Sequence, residues 1–474
     1  MSLEKELAFK PAYEVKEQIV NKEISPVELT QLFFDRIDEL DGQLNSYITL
    51  DYENAMHSAR SAEEIVMKGG PFGPLHGIPV SIKDMELTKN LRSTAGSILF
   101  KDRVPTEDSV VSERVRAAGA IILGKTNTPE FGHKGTTENL LGDACRNPWN
   151  TSYTTGGSSG GAAAALISGL CSLATGTDGG GSIRIPASYC GVYGIKPTQG
   201  RVPRYMGAGS SVIANQLAIS GPLSRTVRDS ALLLQVLSGH DGRDPASIRD
   251  VPPDFVSALD MDVSGLRIGW SADFGFAPVD PEVAEVCYEA AKAFEEIGCT
   301  VADSNLNLES PERSFKVLFS TNTYAAMSSV IESDRDKFTD YFLHNMDFAR
   351  ELTGADYAFA VGYVDYLRAK FDQLFESFDL LISPTMAVPP FPIGDYPEKI
   401  AGQNVDPFAG IIPFTYPINM IGNPAASVPA GFSHTGLPIG LHLIGRYGDE
   451  RLVLAASAAF ERLRPWAQLM PPVS

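Results

Sequence analysis

The sequence predicts an α/β fold, in which helices pack against a central β-sheet. A helical segment at 108–118 ends at Gly119 and is followed at once by a short apolar strand at 120–123. A helix that leads directly into a strand is typical of α/β sheets. Two further apolar runs, at 266–270 and 380–383, also have the length and composition of strands.

An amphipathic helix is predicted to begin at Pro26. Ser25, Pro26 and Glu28 match a capping box, in which the serine side chain caps the helix and proline occupies its first position. The apolar residues that follow recur on one side of this helix: Leu29, Leu32, Phe33, Ile37 and Leu40. We therefore expect this side to face the core.

Composition and charge narrow the class of protein. The chain has 474 residues, of which 43% are hydrophobic, and 39 basic against 58 acidic residues give a net charge of −19. A strongly acidic protein is repelled by nucleic acid and by anionic membranes, so neither is expected as a partner. The longest apolar run, at 162–174, is shorter than the roughly 20 residues that span a bilayer. The charged N-terminal sequence lacks the apolar core of a signal peptide, and a cytoplasmic location is expected.

The spacing of cysteines and histidines predicts neither a disulfide framework nor a metal site. The five cysteines contain no C-x-x-C pair, and the seven histidines contain no H-x-x-x-H pair. Paired spacings of these kinds are typical of structural zinc and of disulfide scaffolds. We expect no metal and no cofactor.

Two glycine-rich segments, GGSSGG at 156–161 and DGGGSIRIP at 178–186, carry Ser158 and Ser182. Glycine permits close backbone approach, so that successive N–H groups can converge on one anion. A turn or a packing seam would also use glycine. A phosphate-binding loop does not fit, because Gly161 is followed by Ala162 instead of by Lys and Ser or Thr, and no G-x-G-x-x-G motif follows a strand.

A nucleophile elbow is a competing interpretation of the first segment. Residues 157–161 satisfy G-x-S-x-G with Ser159 as the nucleophile. Such an elbow needs a histidine downstream, and the candidates are His240, His344, His434 and His442. The last of these lies in an alternating apolar stretch that predicts a buried strand, where a histidine is more often a core residue than a base.

Lys83 is the alternative proton acceptor. It lies in the apolar, strand-like run at 75–84, which would carry its amine into a region of low dielectric constant. Desolvation lowers the pKa of a lysine and can leave the amine neutral. The simpler interpretation is that Lys83 caps the strand and pairs with Asp84.

Long sequence words surround Lys83, Ser158 and Ser182, and they resemble the amidase signature family of serine hydrolases. The matching words are GIPVSIKD, AIILGKTNTPEF, RNPWN, TGGSSGGAAAA, GTDGGGSIRIPASYCGVYGIKPT, PIN at 417–419, GNPAASVP and GLPIGLHLIG. They extend over most of the chain. The resemblance implies a single domain over 1–474, with a large central mixed β-sheet flanked by helices on both faces.

The resemblance also implies roles for individual residues. Ser182 would be the nucleophile, Ser158 the bridging serine, which in this family follows a cis peptide bond, and Lys83 the terminal base. The N–H groups of Gly179, Gly180 and Gly181, with that of Ser182, would form the oxyanion hole. Gly179 departs from much of the family, where a bulkier residue is frequent, which leaves the N–H donor in place but puts the rigidity of the loop in question.

Asp178 and Arg184 flank the nucleophile and would support it. An ion pair between them could clamp the glycine loop, because arginine binds a carboxylate through two hydrogen bonds. We interpret both as structural support instead of as participants in the chemistry.

The block 307–403 matches the family least and is rich in aromatic residues. We expect this block to cover the active site and to decide which substrate fits. The family resemblance implies an amidohydrolase that cleaves C–N bonds of small or oligomeric non-peptide amides, with aryl amides and carbamates also open. Its partners would be a small-molecule amide and water, and a homodimer stays open.

Two functions other than a stand-alone amidohydrolase are also consistent with the sequence. One is the glutamine-hydrolysing component of an amidotransferase, its A subunit, although the R-Y-G and G-x-E-V-K-R-R words usual in those proteins are missing from the sequence. The other is a binding or scaffold protein that has kept the fold and lost the chemistry, which the presence of all three relay residues argues against.

Overall fold

The computed structural model describes residues 3–207 and 217–474, which form fifteen β-strands and fourteen α-helices. The strands are β1 Tyr47–Leu50, β2 Pro79–Lys83, β3 Ile121–Thr126, β4 Arg146–Asn147, β5 Asn150–Thr154, β6 Leu173–Asp178, β7 Tyr193–Lys196, β8 Ile219–Ser224, β9 Arg267–Trp270, β10 Thr300–Asp303, β11 Leu380–Pro384, β12 Lys399–Ile400, β13 Gln403–Asn404, β14 Ala425–Phe432 and β15 Pro438–Ile444. The helices are α1 Leu3–Ala8, α2 Ala12–Val20, α3 Pro26–Leu44, α4 Tyr52–Lys68, α5 Val110–Ala117, α6 Gly160–Ile167, α7 Arg184–Cys190, α8 Val227–Leu237, α9 Pro281–Lys292, α10 Glu312–Ser333, α11 Asp340–Arg350, α12 Gly354–Ser377, α13 Tyr416–Ile421 and α14 Glu450–Leu463.

Eleven strands form one mixed sheet in the order β1-β3-β2-β6-β8-β7-β14-β15-β11-β9-β10. The strands β2, β3 and β6 are parallel to one another, whereas β8 is antiparallel to β6. The other four strands form two short hairpins, β4-β5 and β12-β13. The predicted α/β class and the predicted mixed sheet are confirmed.

Helices cover both faces of this sheet, as successive side chains of β11 show. Leu380 and Ile382 belong to one apolar core, which also contains residues of α3, α8, α9 and α14. Leu381 belongs to a second core, which contains residues of α10, α12 and α13. Because successive side chains of a strand point to opposite faces, the two cores lie on opposite sides of the sheet.

The elements predicted from sequence are present with shifted ends. The helix expected from 108 starts at Val110, because Ser109 caps it by accepting a hydrogen bond from the Ser112 N–H at 3.4 Å. The strand expected at 120–123 continues to Thr126, since its last residues pair with β2. The run at 266–270 forms β9, and the run at 380–383 forms β11.

The structure also describes the apolar helices and the cysteines that the sequence analysis considered. Over the described residues, no helix is both long and apolar enough to cross a membrane. The five cysteines are all buried thiols.

The cap of α3 provides a test of local stability. Ser25 Oγ accepts hydrogen bonds from the N–H groups of Val27 at 3.1 Å and Glu28 at 3.3 Å. We expect Ser25→Ala to lower the free energy of unfolding by about 1 kcal/mol, because these donors lose their acceptor. Urea denaturation measures the change. Ser25→Thr keeps a cap hydroxyl and should restore most of the loss, so equal losses in both variants would contradict the capping role.

Candidate active site

The candidate site lies where two neighbouring parallel strands end. Lys83 is the last residue of β2, and Asp178 is the last residue of β6. The carboxyl ends of parallel strands meet at one edge of a sheet, where ligands commonly bind in α/β proteins. Ser158 closely precedes the start of α6, and Ser182 closely precedes the start of α7. Two strand ends and two helix starts therefore position these four residues.

The Lys83 amine is fully buried and faces neutral oxygens. Its Nζ lies 2.6 Å from Ser158 Oγ, 2.9 Å from Ser159 Oγ and 2.8 Å from Thr177 Oγ1, with the Thr177 carbonyl oxygen at 3.4 Å. Neutral hydroxyl and carbonyl oxygens stabilise the protonated amine less than a negatively charged carboxylate would. This environment favours the uncharged amine.

Burial lowers the pKa of Lys83 to about 7, and the charges of Asp178 and Glu86 offset only part of this effect. Desolvation penalises the charged form of a buried amine, and the nearest carboxylate, Asp178, is paired with Arg184 instead. Near neutral pH, a large fraction of the Lys83 amine is therefore free to accept a proton.

The simpler interpretation of Lys83, a pair with Asp84, does not describe the structure. The Asp84 carboxylate accepts hydrogen bonds from the N–H of Thr94 at 3.0 Å and from its hydroxyl. Successive side chains along an extended chain point in opposite directions, so Lys83 and Asp84 face different neighbours. The Lys83 amine contacts Ser158 and Ser159 instead.

Ser158 lies against the backbone of a neighbouring loop. The peptide bond between Gly157 and Ser158 is cis. A Cβ atom added to Gly132 would lie 3.2 Å from Ser158 Oγ, so the Gly132 backbone faces the serine hydroxyl directly. Ser158 Oγ thus has the Lys83 amine on one side and a narrow glycine-lined space on another.

Ser159, the elbow candidate, also contacts the lysine instead of a histidine. Its hydroxyl lies 2.9 Å from Lys83 Nζ and donates to the Thr177 carbonyl oxygen at 3.3 Å. His442, in β15, is bound to Arg184. The serine–histidine pair that an elbow requires is therefore not formed by these residues.

Ser182 lies next to this cluster, with 8% of its surface exposed. The Ser159 N–H donates to the Ser182 carbonyl oxygen at 3.1 Å, which ties the two serine loops together. The Ser182 hydroxyl makes no hydrogen bond to any residue in 3–207 or 217–474. Catalytic hydrogen bonds are often loose in ligand-free enzymes and tighten when substrate binds.

Asp178 and Arg184 form a buried ion pair behind Ser182. Arg184 Nη2 lies 2.9 Å from Asp178 Oδ1, and Arg184 Nε lies 3.0 Å from Asp178 Oδ2. The same carboxylate accepts hydrogen bonds from the N–H groups of Gly181 at 2.8 Å and Ile183 at 3.2 Å. The residues on either side of Ser182 are therefore held by one carboxylate.

Two residues without an assigned role complete this network. Asn419 donates to Asp178 Oδ1 at 2.9 Å and accepts from Arg184 Nη2 at 2.6 Å. His442 Nε2 lies 3.0 Å from Arg184 Nη1. Burial and the Arg184 charge lower the pKa of His442 well below its usual range, so that its neutral ring accepts the arginine N–H.

The pKa of Asp178 reflects the balance in this network. Burial would raise it, but the charge and hydrogen bonds of Arg184 hold it below its usual range. The carboxylate thus stays ionised as a fixed acceptor.

Sequence reasoning did not find Thr177, Asn419 or His133 as site residues. PIN at 417–419 was part of the family resemblance, but nothing in its composition pointed to Asp178. His133 lies just beyond the word AIILGKTNTPEF and carries no motif of its own. In the part of the chain that the structure describes, no three His, Cys, Asp or Glu residues are grouped so that they could hold a metal ion.

The chain is similar to known proteins over nearly its whole length. A family model described as Amidase matches residues 28–454. The chain is 37% identical over 471 residues to the acylamidase of Rhodococcus erythropolis, a match that covers 99% of this chain and 98% of that protein. It is also 36% identical over 487 residues to the glutamyl-tRNA(Gln) amidotransferase A subunit of Geobacter sp. strain M21, covering 96% and 97%. A crystal structure of a bacterial aryl acylamidase of the amidase signature family superposes with a TM-score of 0.91, at 35% identity and 97% coverage of both chains.

Neighbouring glycines in the Ser182 loop give a matched stability test. Gly181 has a φ of +130°, and its added Cβ would lie 2.3 Å from Thr415 Oγ1, whereas an added Cβ at Gly179 would make ordinary contacts of 3.4 Å or more. We expect Gly181→Ala to lower the free energy of unfolding by about 1–3 kcal/mol, because alanine is strained in that conformation. Gly179→Ala should change it by less than about 0.5 kcal/mol.

Urea denaturation of the two variants measures this difference. If Gly179→Ala were as damaging as Gly181→Ala, the loop would have to differ from the one described.

Proposed function

Because the chain belongs to the amidase signature family of serine amidohydrolases, we propose that it cleaves small or oligomeric non-peptide amides through Lys83, Ser158 and Ser182. The family membership makes it a hydrolase acting on amide C–N bonds. The 2.6 Å contact between the buried Lys83 amine and Ser158 Oγ is the main observation in favour of catalysis by these three residues.

The first step forms an acyl-enzyme. The neutral Lys83 amine accepts the Ser158 proton while Ser158 accepts the Ser182 proton, and Ser182 Oγ attacks the amide carbonyl carbon. The carbonyl π electrons move to oxygen and form a tetrahedral oxyanion. When the intermediate collapses, the C–N bond breaks, and the nitrogen leaves as an amine with a proton from Ser158, which takes back the proton held by Lys83.

The second step releases the acid. Water replaces the amine and attacks the acyl carbon, giving a proton to Ser158 while Ser158 gives its own proton to Lys83. The C–O bond to Ser182 then breaks, Ser182 recovers its proton from Ser158, and Ser158 recovers its proton from Lys83, which is neutral again. This sequence uses the same three side chains in both directions and consumes one water per amide.

The oxyanion would be stabilised by N–H groups of the Ser182 loop, namely those of Gly179, Gly180 and Gly181. Losing one such donor typically costs about 3–4 kcal/mol of transition-state stabilisation in other hydrolases. The Gly181 N–H already donates to Asp178 Oδ1 at 2.8 Å, so its contribution to the oxyanion would be shared with the carboxylate. We therefore assign the larger share to Gly179 and Gly180, with Asp178 and Arg184 as support.

The block 307–403 would cover this centre. An added Cβ at Gly180 would lie 2.7 Å from Phe315, and one at Gly179 would lie 3.5 Å from Phe319. Both phenylalanines belong to α10, which starts within this block. The contacts support a covering role for these residues next to the oxyanion loop.

The amidotransferase component is the second candidate, since relatives with that name are 35–37% identical to this chain. The TM-score of 0.91 with an aryl acylamidase supports the stand-alone enzyme. The purified single chain should release amine from an anilide without partner proteins. Ammonia release from glutamine that needs added partner chains would favour the amidotransferase.

Labelling and substitution test the nucleophile. We expect an aryl sulfonyl fluoride to modify Ser182 in the wild-type protein, and Ser182→Ala to lose about 10³-fold or more of the anilide hydrolysis rate. Mass spectrometry locates the label, and amine release measures the rate. Full activity in Ser182→Ala, or a label on Ser159 instead, would overturn the assignment.

The pH dependence tests the lysine. The active form is the neutral amine, and burial brings the pKa of Lys83 to about 7. We expect kcat/KM to increase about tenfold per pH unit below that value and to level off above it, since each unit removes the proton from ten times more of the enzyme.

Lys83→Arg keeps a cation that does not lose its proton and should lose about 10²–10⁴-fold in kcat/KM. A near-normal rate in this variant, or a profile that falls between about pH 6 and pH 8, would exclude Lys83 as the base.

A further inference from the structure

His133 is a buried histidine with one unused ring nitrogen beside the proposed reaction centre. Only 3% of its surface is exposed, and its ring lies 4.5 Å from the Phe319 ring and 5.2 Å from the Phe342 ring. Its Nε2 lies 3.1 Å from Thr323 Oγ1, and its Nδ1 is buried without a hydrogen-bond partner among the described residues. A buried polar atom without a partner costs free energy and calls for an explanation.

The position of His133 connects both halves of the centre. The preceding residue, Gly132, faces Ser158 Oγ, because a Cβ there would lie 3.2 Å from that atom. Phe319, which packs on the His133 ring, also lies next to Gly179 in the Ser182 loop. His133 is therefore next in the chain to the residue that faces Ser158, and its ring packs on a phenylalanine that lies beside the Ser182 loop.

The protonation state of this ring follows from its surroundings. Burial lowers the pKa of His133 to about 3, so the imidazole is neutral at working pH. A neutral imidazole has one N–H and one acceptor nitrogen. Buried N–H groups without an acceptor are rarer than acceptors without a donor. We accordingly assign the proton to Nε2, donated to Thr323, which leaves a lone pair on Nδ1.

A cavity of about 610 Å³ extends from His133. Its walls include the aromatic rings of Tyr341, Phe348, Tyr396 and Phe408. Such walls favour apolar and aromatic groups.

The lysines that line this cavity are already paired. Lys134 Nζ lies 2.5 Å from Glu138, and Lys316 Nζ lies 2.6 Å from Asp406. A charged ligand would have to displace one of these pairs, so an uncharged ligand is favoured.

The amine side of the substrate should enter this cavity. In the proposed mechanism Ser158 returns its proton to the leaving nitrogen, which must therefore lie against Ser158 Oγ. The loop that faces Ser158 is the one that carries Gly132 and His133. His133 follows Gly132 in this loop and also lines the cavity, so its unpartnered Nδ1 is the candidate acceptor for an N–H on that nitrogen.

We propose that His133 is a specificity-determining residue, whose Nδ1 accepts a hydrogen bond from the scissile N–H of a secondary amide with an uncharged, apolar amine group. The assignment rests on the proposed function of Ser158 and Ser182. It predicts selection for N–H amides over esters, which have an oxygen at that place. A site that hydrogen-bonds a substrate group discriminates against analogues without it, because a buried site atom is then left unpaired.

The test compares an anilide with the aryl ester of the same acyl and aryl groups. His133→Phe keeps a planar ring between Phe319 and Phe342 and removes the acceptor. We expect it to lower the ratio of kcat/KM for anilide over ester by about tenfold, the effect of one lost hydrogen bond. His133→Asn places an amide oxygen near the position of Nδ1 and should recover most of the ratio.

Controls separate this role from packing and from the mechanism. His57→Asn changes an exposed histidine of α4 and should leave the ratio as in the wild type. Equal losses on anilide and ester in His133→Phe would show a structural role and overturn the proposal, as would an unchanged ratio. Ser182→Ala abolishes both reactions if the proposed function holds, so retained turnover in that variant would contradict the function itself, independently of His133.

Discussion

The ion pair between Asp178 and Arg184 is the interaction on which the geometry of the centre depends. Asp178 ends β6, Arg184 starts α7, and their partners Asn419 and His442 belong to α13 and β15. Taking both charges out of water is costly, and only complete hydrogen bonding compensates it. Here the carboxylate accepts from Arg184, Gly181, Ile183 and Asn419. These hydrogen bonds hold the backbone on both sides of Ser182, whereas a buried ion pair often adds little net stability.

The ion pair also engages the Asp178 carboxylate, so that Lys83 makes no ion pair with it. Arg184 holds the carboxylate directly, whereas Lys83 meets only hydroxyl and carbonyl oxygens. A guanidinium stays protonated in proteins, while a desolvated amine can release its proton. In the proposed mechanism, arginine supports the loop and lysine transfers the proton, so each side chain has the task that suits its acidity.

Much of the fold and part of the centre could be predicted from sequence, because they depend on local patterns. The capping residue Ser25, the strand that carries Lys83 and the burial of His442 in a strand all follow from spacing and polarity within short segments. The partners of Lys83 could not be predicted this way, since Thr177 reaches it through the pairing of β2 with β6. His133 was missed for the same reason: Phe319, Thr323 and Phe342, which define its environment, come from distant helices.

The burial of Lys83 has a consequence for the newly made protein. An amine in a water-exposed, unfolded chain keeps its ordinary pKa and is almost entirely protonated near neutral pH. Burial of the Lys83 amine, which lowers its pKa, requires β2, β6 and the two serine loops to assemble. These elements come from segments far apart in the chain. In the proposed mechanism, the base that activates the serines is therefore formed only in the native state. Under that mechanism, nascent and misfolded copies would lack an activated serine.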